Sequence, residues 1–594
     1  MRLTIALSLV CVSTLFSADW KLADNPLTTP WTSQVSPAHA LPEYPRPQMA
    51  RKDWVNLNGL WDYAIRPLTT TVKEYDGRIL VPFPLESALS GVKKPLTPEQ
   101  LLWYHRTFPA PNLKGKRLLL HFGAVDWRAE VWINGKSVGK HEGGYDPFTF
   151  DITPALKGRG TEDIVVAVWD PSDNGSQPRG KQVLNPNSIW YTAVSGIWQT
   201  VWLEPVPERY ISELSMTPDL DSNRLHLTVH STSAGEYGVR LALAGKTVGQ
   251  ATGQLNQALD VLVTDIEPWS PDSPTLYDVV ISLPEGDRVT SYFGMRKVEI
   301  KKDAAGFNRI FLNGNPVFSI GPLDQGWWPD GLYTAPTDAA LRSDIETLKR
   351  MGFNMCRKHV KVEPARYYYW CDKLGFMVWQ DMPSAMPKEH PAVKAKGADD
   401  LAFTAEEDAT YRRELAAEIR NLGNVTSIVA WVPFNEGWGQ HDTNAILQWV
   451  KSLDASRLVD GPSGWEDRGY GDMKDMHQYP GPGMFPVMDN RASVLGEFGG
   501  LGLPVEQHLW WNKRNWGYRT FEDRAKLQAG YEDLMQKLEP LVQQGLAAAI
   551  YTQTTDVEGE VNGLMTYDRK VIKLDVDKLA QWHKRIIAAG AGKR

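Results

Sequence analysis

The sequence predicts a multidomain chain: an N-terminal β-sandwich of jelly-roll type, an immunoglobulin-like β-sandwich, and a C-terminal (β/α)8 TIM barrel. Three observations carry this expectation. Residues 54–303 form a succession of short strand-like runs with no long helical period between them. From about residue 304, strand-like and helix-like segments alternate. Eight apolar strand candidates then follow over about 290 residues, the usual size of a barrel of parallel strands. The 594 residues leave room for several domains.

The elements follow in order. Residues 1–18 resemble an export signal: Met1-Arg2 is a short basic start, Leu3 to Phe16 is mostly apolar, and Ser17-Ala18 offers small residues for cleavage. A periplasmic or extracellular location is therefore expected. Without that segment only Cys356 and Cys371 remain, too few for a disulfide framework. No later stretch is long and apolar enough to span a bilayer. Residues 19–205 are assigned to the first sandwich. Leu118–Phe122 is apolar throughout, and Asn134-Gly135 inside Ala129–Gly139 is a strong two-residue hairpin signal. Residues 206–303 are assigned to the second sandwich, where Arg224–His230 alternates polar and apolar positions.

Residues 304–594 are assigned to the barrel. Val317–Pro322 is its first strand, and Phe353–Arg357, Phe376–Asp381 and the run Ile428–Glu436 follow. Later strands lie near Leu458, Met476, Val494 and Ala549. Helices are expected over 339–351, 364–374, 405–422 and 521–544. Glu436 then closes the fourth strand and Glu497 the seventh. Catalytic groups of such barrels sit at the carboxyl ends of the strands. A glutamate there is costly unless paired or used. Two carboxylates facing one cleft suit glycoside hydrolysis, one as acid and one as nucleophile or base. The net charge of -7 argues against a nucleic-acid partner. The 24 tryptophans suit core packing, and their flat faces also suit a carbohydrate partner. No metal-ligand spacing or cofactor motif is present, so neither metal nor cofactor is expected.

Several segments together resemble glycoside hydrolase family 2, the family of β-galactosidases, β-glucuronidases and β-mannosidases. They are Leu57–Asp62, Trp103–Phe108, Phe122–Asp126, Ser195–Gln199, Phe293–Arg296, Asp381-Met382-Pro383, Asn435-Glu436 and Gly496–Gly499. The resemblance implies the same three domains and hydrolysis with retained anomeric configuration. It implies Glu436 as acid/base, Glu497 as nucleophile and Asn435 as a contact to the sugar 2-hydroxyl. It also implies Arg357 near the nucleophile and Tyr479 as a hydrogen-bond donor to it. Each of these three has a plainer alternative: strand-end capping for Asn435, an internal ion pair for Arg357, cleft-wall packing for Tyr479.

Where β-galactosidases carry Arg-x-x-His-Tyr-Pro, this chain has Arg357–Pro364, so His359 or Lys361 is left to take over substrate binding. Asp324, Gln325, Trp438 and Trp465 are secondary cleft candidates. The Asn-x-Lys motif of β-glucuronidases would fall at Asn562-Gly563-Leu564, which lacks the lysine. Asn512-Lys513-Arg514 is expected to be a surface loop, and Lys361 or Arg569 could supply a different carboxylate contact. The resemblance thus favours a β-galactosidase-like retaining exo-β-glycosidase. β-Mannosidase, β-glucuronidase, α-L-arabinopyranosidase and an inactive carbohydrate-binding protein stand as alternatives.

Overall fold

The computed structural model describes residues 20–284, 286–393 and 397–592. The expected export signal lies outside them. The first sandwich sets a four-stranded sheet (Val55–Asn56, Val201–Val206, Arg117–Phe122, Phe148–Asp151) against a six-stranded one. Trp61, Tyr104, Leu120, Phe122 and Val166 fill the space between the two sheets. The expected hairpin is present: Arg128–Ile133 turns into Lys136–Glu142 through Asn134 and Gly135, both at positive φ. A two-residue turn needs that backbone to match the twist of its strands.

The second sandwich pairs a three-stranded sheet (Ile211–Asp219, Arg224–Ser231, Ala258–Leu262) with a four-stranded one. Alternation in Arg224–Ser231 buries Leu225, Leu227 and Val229. The end of this region is anchored to the barrel by Arg296. Its guanidinium donates to Thr426 O at 2.9 Å, Ile428 O at 2.9 Å and Ser456 O at 3.0 Å.

The barrel strands are Ser319–Asp324, Met355–Lys358, Met377–Asp381, Ile428–Val432, Leu458–Val459, Met473–Gln478, Ala492–Gly499 and Leu546–Thr552. All their pairings are parallel, in the order 5-4-3-2-1-8-7-6. No ladder joins strands 5 and 6. That seam is spanned by Asp472, whose amide donates to Val459 O while its carboxylate accepts from Val459 N, both at 2.8 Å.

The helices are Asp338–Arg350, Ala365–Leu374, Ala405–Leu422, Thr443–Leu453, Arg524–Gln543 and Val576–Gly590. The third has a sequence-encoded start. Thr404 accepts from the Glu407 amide and Glu407 reaches back to the Thr404 amide, a capping box. Tyr411, Leu415, Ile419 and Leu422 then bury one stripe.

The barrel is not fully alternating, and one expectation needs correction. The connections after strands 5 and 6 carry no helix. Gly461-Pro462 and Pro480-Gly481-Pro482-Gly483 open them, and proline and glycine there remove amide donors and raise the entropic cost of helix. The fourth strand ends at Val432, so Glu436 stands four residues beyond it rather than closing it. Among the described residues no helix is long and apolar enough to cross a membrane.

Arg296→Met would leave two buried carbonyls and one half-buried carbonyl without their donor, at a cost of about 2 kcal/mol or more. The expected outcome is an unfolding midpoint lowered by several degrees, with turnover at 25 °C retained because the contact lies away from the carboxyl ends of the strands. An unchanged midpoint in a thermal melt would show that Arg296 does not anchor the second sandwich.

Candidate active site

The carboxyl ends of strands 2, 3, 6 and 7, with the loop after strand 4, converge on one buried cluster. At its centre is Arg357, fully buried on strand 2. It donates to Asp381 Oδ1 at 2.9 Å and Oδ2 at 2.8 Å, on strand 3. It also donates to Asn435 Oδ1 at 2.8 Å and Glu497 Oε1 at 3.3 Å. The guanidinium fork makes such multiple recognition possible. Arg357 thus makes an internal ion pair with Asp381 and also stands beside Glu497.

Glu497 lies inside strand 7, and the residue before it must be glycine. A Cβ on Gly496 would come within 1.9 Å of the Asp475 carboxylate. Tyr479 donates to Glu497 Oε2 at 2.5 Å and stacks on Tyr518 with ring centroids 3.6 Å apart. Burial alone would push the Glu497 carboxyl up. The cations beside it, His477 foremost with Arg357 and Lys181, instead hold it down at about 2.

Glu436 sits in left-handed backbone (φ 51°), held by its amide donating to Ser463 O at 2.9 Å. Its Oε1 lies 2.8 Å from His477 Nδ1. The other ring nitrogen of His477 faces Ser463 Oγ at 2.8 Å, and Nδ1 is also 3.5 Å from Glu497 Oε2. One imidazole thus lies between both glutamates. Burial opposes its charge, but Glu497, Glu436 and Asp475 raise its pKa above the ordinary histidine value. Oxygens of Glu436 and Glu497 and a nitrogen of His477 all lie within 4.8 Å of one another. The sequence shows no metal-ligand spacing, yet the fold gathers these three from separate elements. His477 hydrogen-bonds to Glu436 and stands 3.5 Å from Glu497, which accepts from Tyr479.

Asn435 is buried. Its Oδ1 is taken by Arg357, while its Nδ2 has no partner among the described residues. His359 is buried with Nδ1 2.9 Å from Asp381 Oδ2, and its ring is 6.1 Å from that of Trp438. Burial, with Lys181 adding to it, holds its pKa well below the ordinary value, so it is neutral at neutral pH.

Lys361 is not available to substrate. Its ammonium donates to Gly326 O at 2.6 Å, Tyr333 O at 2.9 Å and Glu363 Oε1 at 2.9 Å, which uses all three of its hydrogens. Asp324 is likewise committed, to Lys358 Nζ at 2.7 Å and the Gly326 amide at 2.9 Å. Arg569 pairs with Asp344 and lies over Trp328. Leu564 is buried in the barrel's outer core, and Asn512-Lys513-Arg514 is exposed as expected. Gln325 is buried with both amide atoms unpartnered, Trp438 lies against Trp190 with the rings tilted at 45°, and Trp465 is exposed beside His477.

The sequence reading missed His477, although its spacing of two from Tyr479 was a usable signal. It also missed Lys181, Trp190 and Tyr191, because no barrel periodicity reports a loop that arrives from another domain. That loop is bound at both sides of the cleft. Arg179 and Gly180 donate to Ser384 O after strand 3. Tyr191 and Thr192 donate to Glu560 and Glu558 after strand 8.

Comparison with known proteins agrees with this architecture. Residues 73–207 match the sugar-binding domain of glycosyl hydrolases family 2, residues 209–296 match a second domain of that family, and residues 334–477 match its TIM barrel domain. A putative β-glucuronidase of Formosa agariphila is 30% identical over 298 residues, covering 47% of this chain and 35% of that protein. A β-galactosidase of Thermoanaerobacter pseudethanolicus is 27% identical over 304 residues, covering 47% of this chain and 39% of that protein. These matches span little more than a third of the relatives' length. The solved β-D-glucuronidase of Dictyoglomus thermophilum superposes with a TM-score of 0.73 at 17% identity, over 91% of this chain and 98% of that one. With three family domains matched in order on the fold just described, the chain belongs to glycosyl hydrolase family 2.

Proposed function

We propose that this protein is a retaining exo-β-glycosidase that removes terminal β-linked sugars from oligo- or polysaccharides by double displacement. The observation that carries the reading is the close approach of Glu436 and Glu497, oxygen to oxygen within 4.8 Å. Retaining enzymes hold their carboxyl groups about 5–5.5 Å apart, whereas inverting ones leave room for a water at roughly 6.5–9.5 Å. Glu497 is ionised and attacks the anomeric carbon as Glu436 protonates the leaving oxygen. Glu436 then takes a proton from water, which displaces the ester with net retention. The unpartnered Nδ2 of Asn435 is a donor ready for a sugar hydroxyl. The loop carrying Lys181 and Trp190 walls one side of the cleft, which suits exo action.

Within this class a neutral β-galactoside is the favoured substrate. Leu564 supplies no cation where β-glucuronidases have one, and Lys361 is committed to other partners. The relatives named above are divided between β-galactosidase and β-glucuronidase, and a nitrophenyl glycoside panel decides between them. A β-galactoside preferred by at least about 10²-fold in kcat/KM is the expected result, since an unmatched carboxylate costs several kcal/mol and about 1.4 kcal/mol is tenfold. A faster glucuronide would reverse the substrate assignment. Export by residues 1–18 belongs to the same proposal, and N-terminal sequencing of the protein secreted by its native host tests it.

Glu497→Ala should lose nearly all turnover, and azide should restore part of it with inverted product. Wild-type-like activity in that variant would sink the nucleophile assignment. Glu436→Gln should slow poor leaving groups by about 10²–10⁴-fold while sparing activated aryl glycosides, which need no proton. Equal losses on both substrate types would remove the acid role.

The acid limb tests the electrostatics. Glu497 must be ionised to attack, and its depressed pKa keeps it so down to about pH 2. His477→Gln removes the leading cation that lowers it, so the acid limb of kcat/KM for an activated substrate should move to higher pH. A limb that stays in place would mean that His477 does not set the charge of the nucleophile.

A further inference from the structure

Glu436 stands at the end of a chain of hydrogen bonds that the chemistry above does not use. Its Oε1 lies 2.8 Å from His477 Nδ1, and His477 Nε2 lies 2.8 Å from Ser463 Oγ. The chain runs one link further: the Ser463 hydroxyl donates to Asp475 Oδ2 at 2.5 Å. The other oxygen of Asp475 accepts from the Gly496 amide at 2.5 Å. Alternation along strand 6 turns Met473, Asp475 and His477 inward, so the two ends of this chain that strand 6 supplies share one face. Ser463 comes from the loop after strand 5, and its own amide and carbonyl bond to Phe434 O and the Glu436 amide, both at 2.9 Å. The side chains of His477 and Asp475 are closed to solvent, and Ser463 is buried.

The direction of these bonds fixes a tautomer. A serine has one hydrogen, and Ser463 gives it to Asp475. Its oxygen is then the acceptor, so His477 Nε2 carries the hydrogen between them. Arg357 Nη1 stands 3.4 Å from the same nitrogen, but its two hydrogens have Glu497 Oε1 at 3.3 Å and Gly496 O at 3.4 Å to go to. With one ring nitrogen committed, the other is the one whose protonation varies. That nitrogen is Nδ1, and it faces Glu436. The charged groups about the ring are Glu436, Asp475 on its own strand, Glu497 on strand 7 and Arg357 on strand 2, with Asp381 and His359 further out. The three nearest anions favour a proton on the ring. Burial pushes Asp475 up, with His477 and Arg357 acting against it. Burial first, then the charge of Asp475, holds Asp460 well above the ordinary carboxylate range, so the charge of that pair rests on Asp475.

We propose that His477 is the proton store of the acid/base, and that Ser463 and Asp475 are positioning residues that lock its Nε2–H so that only Nδ1 exchanges a proton with Glu436. In the free enzyme the movable proton lies between Nδ1 and Glu436 Oε1. Glu436 gives it to the leaving oxygen, which keeps the electron pair of the breaking C1–oxygen bond while a Glu497 oxygen bonds C1. The pair, now one proton short, regains it from the water whose oxygen then bonds C1 and returns the electron pair to Glu497. One proton leaves the Glu436–His477 pair and one enters it in each turnover. This rests on the glycosidase reading above and deepens it, by assigning Ser463 and Asp475 a part in the acid step without contact to the sugar.

The test is the pH profile of kcat/KM for two aryl β-glycosides of the sugar that the wild type cleaves best, one with a poor leaving group and one with an activated one. Wild type, Ser463→Ala and Asp475→Asn are compared. In Asp475→Asn the amide can donate to Ser463 Oγ, which turns the serine hydrogen toward Nε2 and reverses the tautomer. Ser463→Ala removes the acceptor of Nε2–H. Both variants then hold the movable proton less firmly, and the basic limb for the poor leaving group, which reports the acid of the free enzyme, should move to lower pH. The shift should be about one unit or more in Asp475→Asn, where a nearby charge is also lost. At neutral pH the loss on the poor leaving group should exceed that on the activated one by about tenfold or more, because it is general acid help of about 10²–10⁴-fold that is weakened. A basic limb that stays in place in both variants overturns the lock, and so does an equal loss on the two substrates, the pattern of a merely structural role. Should Asp475→Asn fail to fold, Ser463→Ala carries the same comparison. Glu436→Gln, measured alongside, keeps the two proposals apart. If it spares the activated substrate while the basic limb of Ser463→Ala stays in place, only the proton store falls. If it shows no dependence on the leaving group, the acid assignment itself falls.

Discussion

The guanidinium of Arg357 is the constraint on which the cleft depends. It ties strand 2 to Asp381 on strand 3, to Asn435 beyond strand 4 and to Glu497 on strand 7. A fully buried cation is costly unless its charge and its hydrogens are matched. Here Asp381 takes the bidentate share, and Glu497 meets the remaining edge at a longer distance. Asn435 gives its oxygen to the same group, which turns its amide nitrogen outward. One arginine thus orients three side chains and, behind His477, helps to lower the pKa of one of them.

The domains are not beads around that centre. Tyr191, Thr192 and Gly180 of the first sandwich bond to the loops after strands 8 and 3, and Arg296 of the second region bonds to barrel carbonyls beneath. These contacts are polar and buried, so they carry geometric information that apolar packing alone does not. The cleft is therefore assembled by the fold of the whole chain.

How much of this was legible in the sequence depends on range. Strand alternation in Arg224–Ser231, the Asn134-Gly135 turn and the Thr404–Glu407 cap are local, and each was readable because one segment contains its own cause. The eight barrel strands were readable for the same reason, since burial on both faces demands continuous apolar runs. The two glutamates stood out because charge at the end of such a run is costly. The absence of helices after strands 5 and 6 is legible in Gly461-Pro462 and Pro480-Gly481-Pro482-Gly483, and no helix was expected there. Lys361 illustrates the opposite limit: its motif position suggested the cleft, and only the positions of Gly326, Tyr333 and Glu363 reveal where its hydrogens go. Lys181 was invisible because the barrel groups near it, Trp438 among them, lie hundreds of residues away.

The open seam between strands 5 and 6 has a consequence for how the protein would fail on heating. Ser463, after strand 5, holds the Glu436 amide and meets His477 on strand 6. The Ser463–His477 bond beside Glu436 is therefore among those that bridge this interrupted edge of the parallel sheet. Local opening at a sheet edge needs less free energy than global unfolding. Loss of turnover should then precede loss of ellipticity as temperature rises, and amide protons around Ser463 and Asp472 should exchange with solvent before those of strands 1 and 8.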